Sequence, residues 1–282
     1  MRPEGLVRWA TALLFLAGIW QACFFDLPLR NLLWNEALLS GPLGVLGVDW
    51  GDWVAGQGIN ATIIYLQYGF ALLYTLGLAA IIWPALPARN SWILIAALGN
   101  AALFLLDWPD HFYQWGYLFE IALRLGTPFI CWLLLRGKDF TQLHTVVRWL
   151  IALTFIGHGL YALGFYPRPA AFVNWTSAGL SLSENTAIQL LNLVGILDLI
   201  TAIWLIIPLR KMWQLALYWI IPWAILTTLA RYWANASFTD FSYLLYRWTP
   251  EVLERMPHVL LPLAIWFWLQ SSSDAKDVAN YR

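Results

Sequence analysis

A few ionisable side chains interrupt apolar segments that are long enough to cross a membrane. Arg124, His158, Asp198 and His258 each lie near the middle of such a segment. A charge at the centre of a bilayer is costly, so intramembrane ionisable residues mark either functional sites or buried pairs. Histidine exchanges protons near neutral pH. His158, Asp198 and His258 are therefore predicted to be catalytic residues that handle protons.

Two glutamates extend this pattern toward the outer ends of the segments. Glu120 lies four residues before Arg124, and Glu254 lies four residues before His258. Residues four apart share a helix face, so each glutamate can pair with the residue that follows it, or with a group on another helix. The predicted lining of an outward-facing polar pocket is Glu120, Arg124, Arg231 and Glu254. In the alternative interpretation, these polar groups only fix helix packing in a medium without water.

Neither a metal centre nor a redox-active thiol pair is predicted. Cys23 and Cys131 belong to no C-x-x-C motif, and their positions along their helices differ in depth by about 15 Å. His158 and His258 lie at matched depth on different helices, an arrangement that permits bis-imidazole haem ligation. No C-x-x-C-H motif accompanies them, so haem is not expected as a cofactor.

The composition defines the medium in which these residues must be positioned. Of 282 residues, 61% are hydrophobic and 11% charged, whereas about 25% are charged in an ordinary soluble domain. This excludes a soluble globule, and the 17% of aromatic residues is typical of proteins with rings at both bilayer interfaces. The formal net charge is zero, so no basic surface for nucleic acid is indicated. The expected partner is the lipid bilayer.

Hydropathy predicts an all-α, polytopic membrane protein with eight transmembrane helices. A hydrocarbon core of about 30 Å needs about 20 apolar residues per helix. The predicted spans are residues 7–25, 61–83, 90–106, 118–135, 147–165, 187–208, 212–233 and 253–270. Most of the sixteen Lys and Arg residues fall in segments on the side of the N-terminus, which predicts cytoplasmic N- and C-termini.

The two halves of the chain carry matching motifs in the same order, which indicates an internal repeat. The pairs are Arg8-Trp9 with Arg148-Trp149, Pro87-x-Arg89-x-x-Trp92 with Pro208-x-Arg210-x-x-Trp213, and Glu120-x3-Arg124-x3-Pro128-x3-Trp132 with Glu254-x3-His258-x3-Pro262-x3-Trp266. We infer two four-helix repeats, which are parallel because four is an even number of spans. The predicted units are residues 1–137 and 146–270, with a cytoplasmic linker at 138–145 and a cytoplasmic tail at 271–282.

The start of the second unit resembles a known membrane protein family. The segment from Arg148 to Gly164, with Gly157-His158-Gly159 at its centre, resembles the first helix of DoxX-like proteins. The helix from Asn192 to Asp198 is similar to the second helix of that family, although a Glu is expected where Asp198 stands. The resemblance covers about half of the chain. A weaker similarity connects the chain to multi-helix proteins related to vitamin-K-dependent carboxylase.

The DoxX-like resemblance implies a multi-pass protein of the bacterial inner (plasma) membrane, sometimes linked to quinone-dependent or sulfur redox chemistry. Tyr161, within the same segment, is added to the predicted pocket residues. The leading hypothesis is an outward-facing polar intramembrane pocket that binds a quinone-like small molecule or serves a redox-linked membrane complex.

Two other functions stay open at the level of the sequence. One is a small-solute or proton-coupled transporter, which would need a path from the cytoplasm and discontinuous helices, and neither is evident. The other is a non-catalytic scaffold or assembly subunit of a membrane complex, in which the buried charges only hold the helices together.

Overall fold

The computed structural model describes residues 2–236 and 240–280, with side chains described as far as Ser271. Outside this part lie residue 1 of the predicted first unit, residues 237–239, and residues 281–282 of the predicted tail. The described part of the chain contains helices and connecting segments and no β-strand. The helices are α1 (Pro3–Phe24), α2 (Arg30–Leu33), α3 (Glu36–Val45), α4 (Trp50–Ala55), α5 (Gln57–Ile82), α6 (Arg89–Leu106), a 3₁₀ helix (Pro109–His111), α7 (Trp115–Glu120), α8 (Ala122–Leu135), α9 (Phe140–Ala162), α10 (Ala170–Leu180), α11 (Glu184–Ile206), α12 (Arg210–Trp233), α13 (Phe241–Glu254) and α14 (Met256–Asn280).

Six of the described helices are long and apolar enough to cross a membrane, namely α1, α5, α6, α9, α11 and α12. The count rises to seven if α13 and the first part of α14, which meet at an angle of 41°, form one bent span. The remaining predicted span, residues 118–135, corresponds to α7 and α8. Because α8 has only 14 residues, it is shorter than the roughly 20 residues that a straight span requires. The fold is that of an all-helical, multi-pass membrane protein.

Each half of the chain forms a closed ring of helices. In the first half α1 packs against α5, α5 against α6, α6 against α8, and α8 against α1. In the second half α9 packs against α11, α11 against α12, α12 against α14, and α14 against α9. The halves meet where α1 contacts α13 and α14, and where α9 contacts α7 and α8. The short helices α7 and α13 therefore lie at the boundary between the halves.

Two helix breaks occur at matching positions of the two halves. The first separates α7 from α8 at Ile121, and the second separates α13 from α14 at Arg255. The backbone N–H of Leu123, just after the first break, donates to Oγ1 of Thr154 on α9 at 3.1 Å. These breaks correct the expectation that discontinuous helices are absent, because hydropathy measures apolar length and is insensitive to a one-residue interruption.

Proline explains a second irregularity in α8. Pro128 has no N–H, so the carbonyl of Arg124, four residues earlier, loses its helical donor. The side-chain amide of Asn100 on α6 donates to this carbonyl at 3.2 Å. A buried amide thus replaces the missing helical bond and fastens α6 to α8.

The connecting segments differ from the predicted domain borders. α9 begins at Phe140, so most of the predicted linker at 138–145 is the first turn and a half of a helix. α14 continues as far as Asn280, through most of the predicted tail. The long segment between α1 and α5 contains the three short helices α2, α3 and α4, and most of α3 is exposed.

One end of the helical bundle is filled by apolar side chains from both halves. This core includes Val7 of α1, Leu134 of α8, Ile151 of α9, Leu217 of α12 and Leu261 of α14. It lies toward the end of the bundle where the N-termini of α1, α9 and α12 are found. The opposite end is less densely filled, and the predicted site residues lie there.

Candidate functional site

Two cavities open in the less densely filled end of the bundle. The larger, which we call the polar cavity, has a volume of about 680 Å³ and is lined by residues of both halves. Its walls carry many ionisable side chains, namely Asp26, Asp107, His111, Glu120, Arg124, Arg231, Arg247, Glu251, Glu254 and Arg255. The smaller, which we call the apolar cavity, has a volume of about 220 Å³. Aromatic and aliphatic side chains of the second half form most of it, with His158, Asp198, Arg231, Arg255 and His258 among them.

The first ion pair of the polar cavity joins the two halves of the chain. Nη1 of Arg124 on α8 donates to Oε1 of Glu254 on α13 at 2.5 Å. Oε2 of Glu254 accepts a second hydrogen bond from Nε2 of Gln21 on α1 at 2.9 Å. The side chains of Arg124 and Glu254 are only 12% and 14% exposed, so the pair is largely shielded from water.

The second ion pair has the complementary arrangement. Nη2 of Arg255, at the break between α13 and α14, donates to Oε1 of Glu120 on α7 at 3.1 Å. The same oxygen of Glu120 lies 3.9 Å from Nδ1 of His158 on α9. Because Glu120 lines the polar cavity and His158 lines the apolar cavity, this contact connects the two.

Neither Glu120 nor Glu254 makes the predicted pair with the residue four positions later. Glu120 is the last residue of α7 and Arg124 lies in α8, and Glu254 and His258 are separated in the same way by the break at Arg255. A break changes the direction of the helix axis, so residues four apart no longer share a continuous face. Each glutamate instead pairs with a guanidinium of the other half, which was the second possibility at the sequence level.

Arg231 lies where both cavities meet. It is buried, its Nη1 donates to the carbonyl of Thr227 at 2.8 Å, and its guanidinium lies over the ring of Trp175. Nε of Arg231 lies 3.4 Å from Oε2 of Glu251, a distance that allows an ion pair, although the N–H is not aligned as a hydrogen bond. Glu251 also accepts from Nη1 of Arg247 at 2.9 Å.

Asp198 lies at the floor of the apolar cavity. Its side chain is 1% exposed, and its Oδ1 accepts a hydrogen bond from Nε1 of Trp219 at 3.0 Å. The indole of Trp219 stacks on that of Trp223, which also lines the cavity. No cation pairs with this carboxylate among the described ion pairs.

His258 has an unused hydrogen-bonding atom in this cavity, as Arg231 has at the shared wall. His258 is 4% exposed, and its Nδ1 lies 3.2 Å from the carbonyl oxygen of Arg255. Its Nε2 is buried and has no hydrogen-bond partner in the described structure. The rings of His258 and His158 lie 5.7 Å apart, so the two imidazoles form one cluster.

Glycine residues on either side of His158 allow α9 to approach its neighbours closely. A Cβ at Gly157 would lie 2.4 Å from the backbone nitrogen of Glu120 and 2.8 Å from the carbonyl oxygen of Gly116. A Cβ at Gly159 would lie 2.9 Å from the carbonyl oxygen of Gly195 on α11. These contacts bring the backbones of α7 and α11 against α9, and so place His158 beside Glu120.

The outer rim of the polar cavity contains a hydrogen-bonded carboxylate. Oδ2 of Asp107 accepts from the hydroxyl of Tyr117 at 2.9 Å and lies 3.3 Å from Nε2 of His111. Burial alone would raise the pKa of Asp107, but the interactions with His111 and Tyr117 hold it below its ordinary value. The imidazole of His111 also stacks on the Tyr117 ring.

Comparisons of the chain with protein-family models, with curated proteins and with solved structures gave no match. The chemistry of the site is therefore inferred from its geometry. In the described residues no group of three or more His, Cys, Asp or Glu side chains is arranged to hold a metal ion. Both cysteines are free thiols, Cys23 exposed and Cys131 buried.

The predicted site residues thus divide between two cavities. Glu120, Arg124 and Glu254 line the polar cavity, His158, Asp198 and His258 line the apolar cavity, and Arg231 lines both. Tyr161 lines neither of these cavities, and its hydroxyl donates to Oε1 of Gln114 at 2.9 Å. The polar cavity lies between the halves, and the apolar cavity is a second space that shares one wall with it.

Several residues of the site were not predicted. Arg255 is the most important, and its position next to Glu254 in the sequence could have suggested a second charge at the same depth. Gln21, Glu251 and Trp219 contact predicted residues, but each lies on a different helix from its partner. Spacing along a single helix carries no signal for such contacts.

Proposed function

We propose that this chain is a multi-pass membrane protein, DoxX-like in its second half, whose apolar cavity binds a quinone-like small molecule. The observation that carries the proposal is the buried Nε2 of His258, which lacks a hydrogen-bond partner in a cavity whose walls are mostly apolar. Leaving a buried polar group unpaired is costly, so such groups in native proteins call for a specific explanation. A ligand with an apolar body and one polar head would supply the missing partner.

The dimensions and the rim of the cavity support a lipid-soluble ligand. A volume of about 220 Å³ is below the roughly 300 Å³ at which pockets for drug-sized molecules begin, so the space suits a single ring. The rim includes Leu180, Leu226 and Trp233, which are 55%, 46% and 42% exposed. α10, which ends at Leu180, contacts both α11 and α12. In this proposal an apolar tail extends past these exposed residues into the bilayer.

The polar residues at the floor of the cavity have distinct roles in this proposal. His258 binds the polar head of the ligand, and His158 lies beside it as a second imidazole. Glu120 orients His158 from the polar cavity, and Asp198 provides a carboxylate held by Trp219. A quinone-like ligand would supply two-electron redox chemistry, and the residues around it would accept or return protons.

Fluorescence titration tests this function. The protein is purified in lipid nanodiscs without quinone, and a short-chain benzoquinone is added while tryptophan emission is recorded, because Trp175, Trp223 and Trp233 line the cavity. We expect saturable quenching, weakened about tenfold in His258→Phe. His144→Phe is the matched control, because His144 stacks on Trp268 at the other end of the bundle. Equal affinity in His258→Phe and the unaltered protein would remove this cavity from the proposal.

The topology proposed with this function is eight spans in two parallel four-helix repeats, with both termini cytoplasmic, in a bacterial inner membrane. The matching rings of helices and the matching breaks at Ile121 and Arg255 support it. The span formed by α7 with α8 is not one of the six continuous ones. Asp110→Cys and Lys138→Cys, which flank it, are therefore the informative variants. With Cys23 and Cys131 replaced by serine, an impermeant maleimide should label only residue 110 in intact cells. Labelling of both would leave the chain with seven spans.

A transporter is the second candidate, and the broken helices favour it. Many secondary transporters bind their substrates where two half-helices meet near the bilayer midplane. Here the breaks at Ile121 and Arg255 lie beside the ion pairs of Glu120 and Glu254. In proteoliposomes containing a pH-sensitive dye, a transmembrane potential should drive proton movement that Glu120→Gln abolishes. The absence of a dye response in the unaltered protein would exclude proton-coupled transport.

A further inference from the structure

The orientation of the His258 ring determines which of its nitrogens carries the hydrogen. Nδ1 lies 3.2 Å from the carbonyl oxygen of Arg255, and a carbonyl oxygen only accepts hydrogen bonds. The ring hydrogen of a neutral imidazole is therefore placed on Nδ1. Nε2 is then an acceptor with a free lone pair, and it is this atom that has no partner.

The surroundings of Nε2 agree with this assignment. The ring of His158 on α9 lies 5.7 Å away, and no described atom is placed to accept a hydrogen bond from Nε2. A hydrogen on Nε2 would therefore be a buried N–H without an acceptor. The unused atom is thus a hydrogen-bond acceptor.

The two threonine hydroxyls of the cavity have their hydrogens committed elsewhere. The hydroxyl of Thr176 donates to the carbonyl of Phe172 at 2.7 Å, and the hydroxyl of Thr227 donates to the carbonyl of Trp223 at 2.9 Å. Oδ1 of Asp198 is already the acceptor of the indole N–H of Trp219. The two threonines therefore present oxygen lone pairs, in addition to the Nε2 lone pair of His258.

The cationic side chains at the shared wall pair with carboxylates of the polar cavity. Nη2 of Arg255 donates to Glu120, and Nε of Arg231 lies 3.4 Å from Oε2 of Glu251. Both of these carboxylates line the polar cavity. The imidazole of His258 is in none of the described ion pairs, and its unused Nε2 is an acceptor.

We propose that the apolar cavity selects a ligand that donates a hydrogen bond, and that among quinone-like molecules it binds the reduced hydroquinone in preference to the oxidised quinone. This inference rests on the proposed function. A hydroquinone carries two O–H groups, one of which donates to Nε2 of His258. A quinone has carbonyl oxygens alone, which would face the lone pair of His258. A site built around one hydrogen-bond polarity rejects an analogue that lacks the matching group.

Three ligands of nearly the same shape test the proposal on the purified protein in nanodiscs. They are a short-chain benzohydroquinone, the corresponding benzoquinone and the hydroquinone dimethyl ether, which has no hydrogen to donate. Under anaerobic conditions we expect the hydroquinone to bind at least about tenfold more tightly than the other two. In His258→Phe the three affinities should converge to within about twofold, whereas His144→Phe should keep the preference.

The outcomes separate this proposal from the function on which it rests. Quinone binding that equals or exceeds hydroquinone binding in the unaltered protein overturns the proposed polarity but leaves a quinone site in place. Saturable binding of none of the three ligands overturns the quinone site itself, and the preference with it. If His258→Phe does not fold, the comparison of the three ligands on the unaltered protein decides the question alone.

Discussion

The polar and apolar cavities differ in how their buried polar groups are satisfied. In the polar cavity the charged groups pair with each other, Arg124 with Glu254 and Arg255 with Glu120. In the apolar cavity Nε2 of His258 has no partner. The ion pairs stabilise the junction of the halves, whereas the unpaired buried imidazole is available to a ligand. The polar cavity also has unused buried atoms, Nε of Arg124 and Nε of Arg231, but both belong to guanidinium groups that are already in ion pairs. His258 is in none of the described ion pairs, so its unused Nε2 points to the smaller cavity.

The difference originates in one substitution between the matching motifs. Where the first half has Arg124, the second has His258. The long side chain of Arg124 reaches across to Glu254, but the shorter imidazole of His258 makes no such ion pair with Glu120. Arg255 supplies the cation for Glu120 instead. This leaves His258 to face the apolar cavity.

The largest effect should come from breaking an ion pair of the polar cavity. Arg124→Met leaves the shielded carboxylate of Glu254 without its cation, and breaking such a pair typically costs about 3 kcal/mol of unfolding free energy. The control is Arg30→Met, since the Arg30–Asp26 pair is exposed and should contribute less than about 1 kcal/mol. Thermal unfolding in detergent measures both. A similar small loss in the two variants would show that the polar cavity is not held together by its charges.

A somewhat smaller effect is expected at the close packing of α9. Gly157→Ala places a methyl group against the backbone of α7, and overpacking of this kind costs roughly 1–3 kcal/mol. The matching position of the first half is already alanine, Ala17, so the close approach is specific to the second half. Gly69→Ala is the control, because nothing lies within 4 Å of a Cβ added there. Equal melting temperatures for the two variants would contradict the backbone contact.

The carboxylate of the apolar cavity should respond oppositely to that of the polar cavity. Asp198→Asn keeps an oxygen for Trp219 and replaces a buried carboxyl group that has no described cationic partner, so the unfolding free energy should stay within about 1 kcal/mol of the original or rise. Glu254→Gln, which removes the partner of Arg124, should lower it clearly. Urea or thermal unfolding compares the two. Destabilisation by Asp198→Asn that matches that of Glu254→Gln would show that Asp198 also belongs to an ion pair.

The smallest effect is expected at the rim of the polar cavity, as a dependence on pH. The lowered pKa of Asp107 gives stabilisation that is complete above the ordinary carboxyl pKa of about 4 and is lost as the pH falls through the lower folded-state value. Tyr117→Phe removes one cause of that lowering. It should cost less than about 1 kcal/mol at neutral pH and make the acid decline shallower. Unfolding measured from pH 3 to 7 tests this, and superimposable profiles would contradict it.

Local apolar length explains why the helices could be predicted. Six of the predicted spans overlap described helices that are long and apolar enough to cross a membrane, and the other two overlap the pairs α7 with α8 and α13 with α14. About 20 consecutive apolar residues favour a helix without reference to the rest of the chain. The breaks at Ile121 and Arg255 could not be predicted in this way. Ile121 is itself apolar, and its departure from helical geometry depends on Thr154, which lies on another helix.

The residues of the site could be predicted more readily than the contacts between them. Ionisable residues such as Asp198 stand out in apolar segments, so their types and depth are visible in the sequence. Their partners are set by which helices meet: Arg124 finds Glu254 across 130 positions of the chain. The division into two cavities was not visible, because it depends on the directions that α13 and α14 take after the break.

The contact between Glu120 and His158 has a thermodynamic consequence. Glu120 lines one cavity and His158 lines the other, so a proton or cation that binds at Glu120 alters the electrostatic environment of any ligand beside His158. Such coupling is reciprocal. If an ion at Glu120 changes the affinity for a ligand by a certain factor, the ligand changes the affinity for the ion by the same factor. The ionic conditions in the polar cavity and the occupancy of the apolar cavity are therefore linked variables.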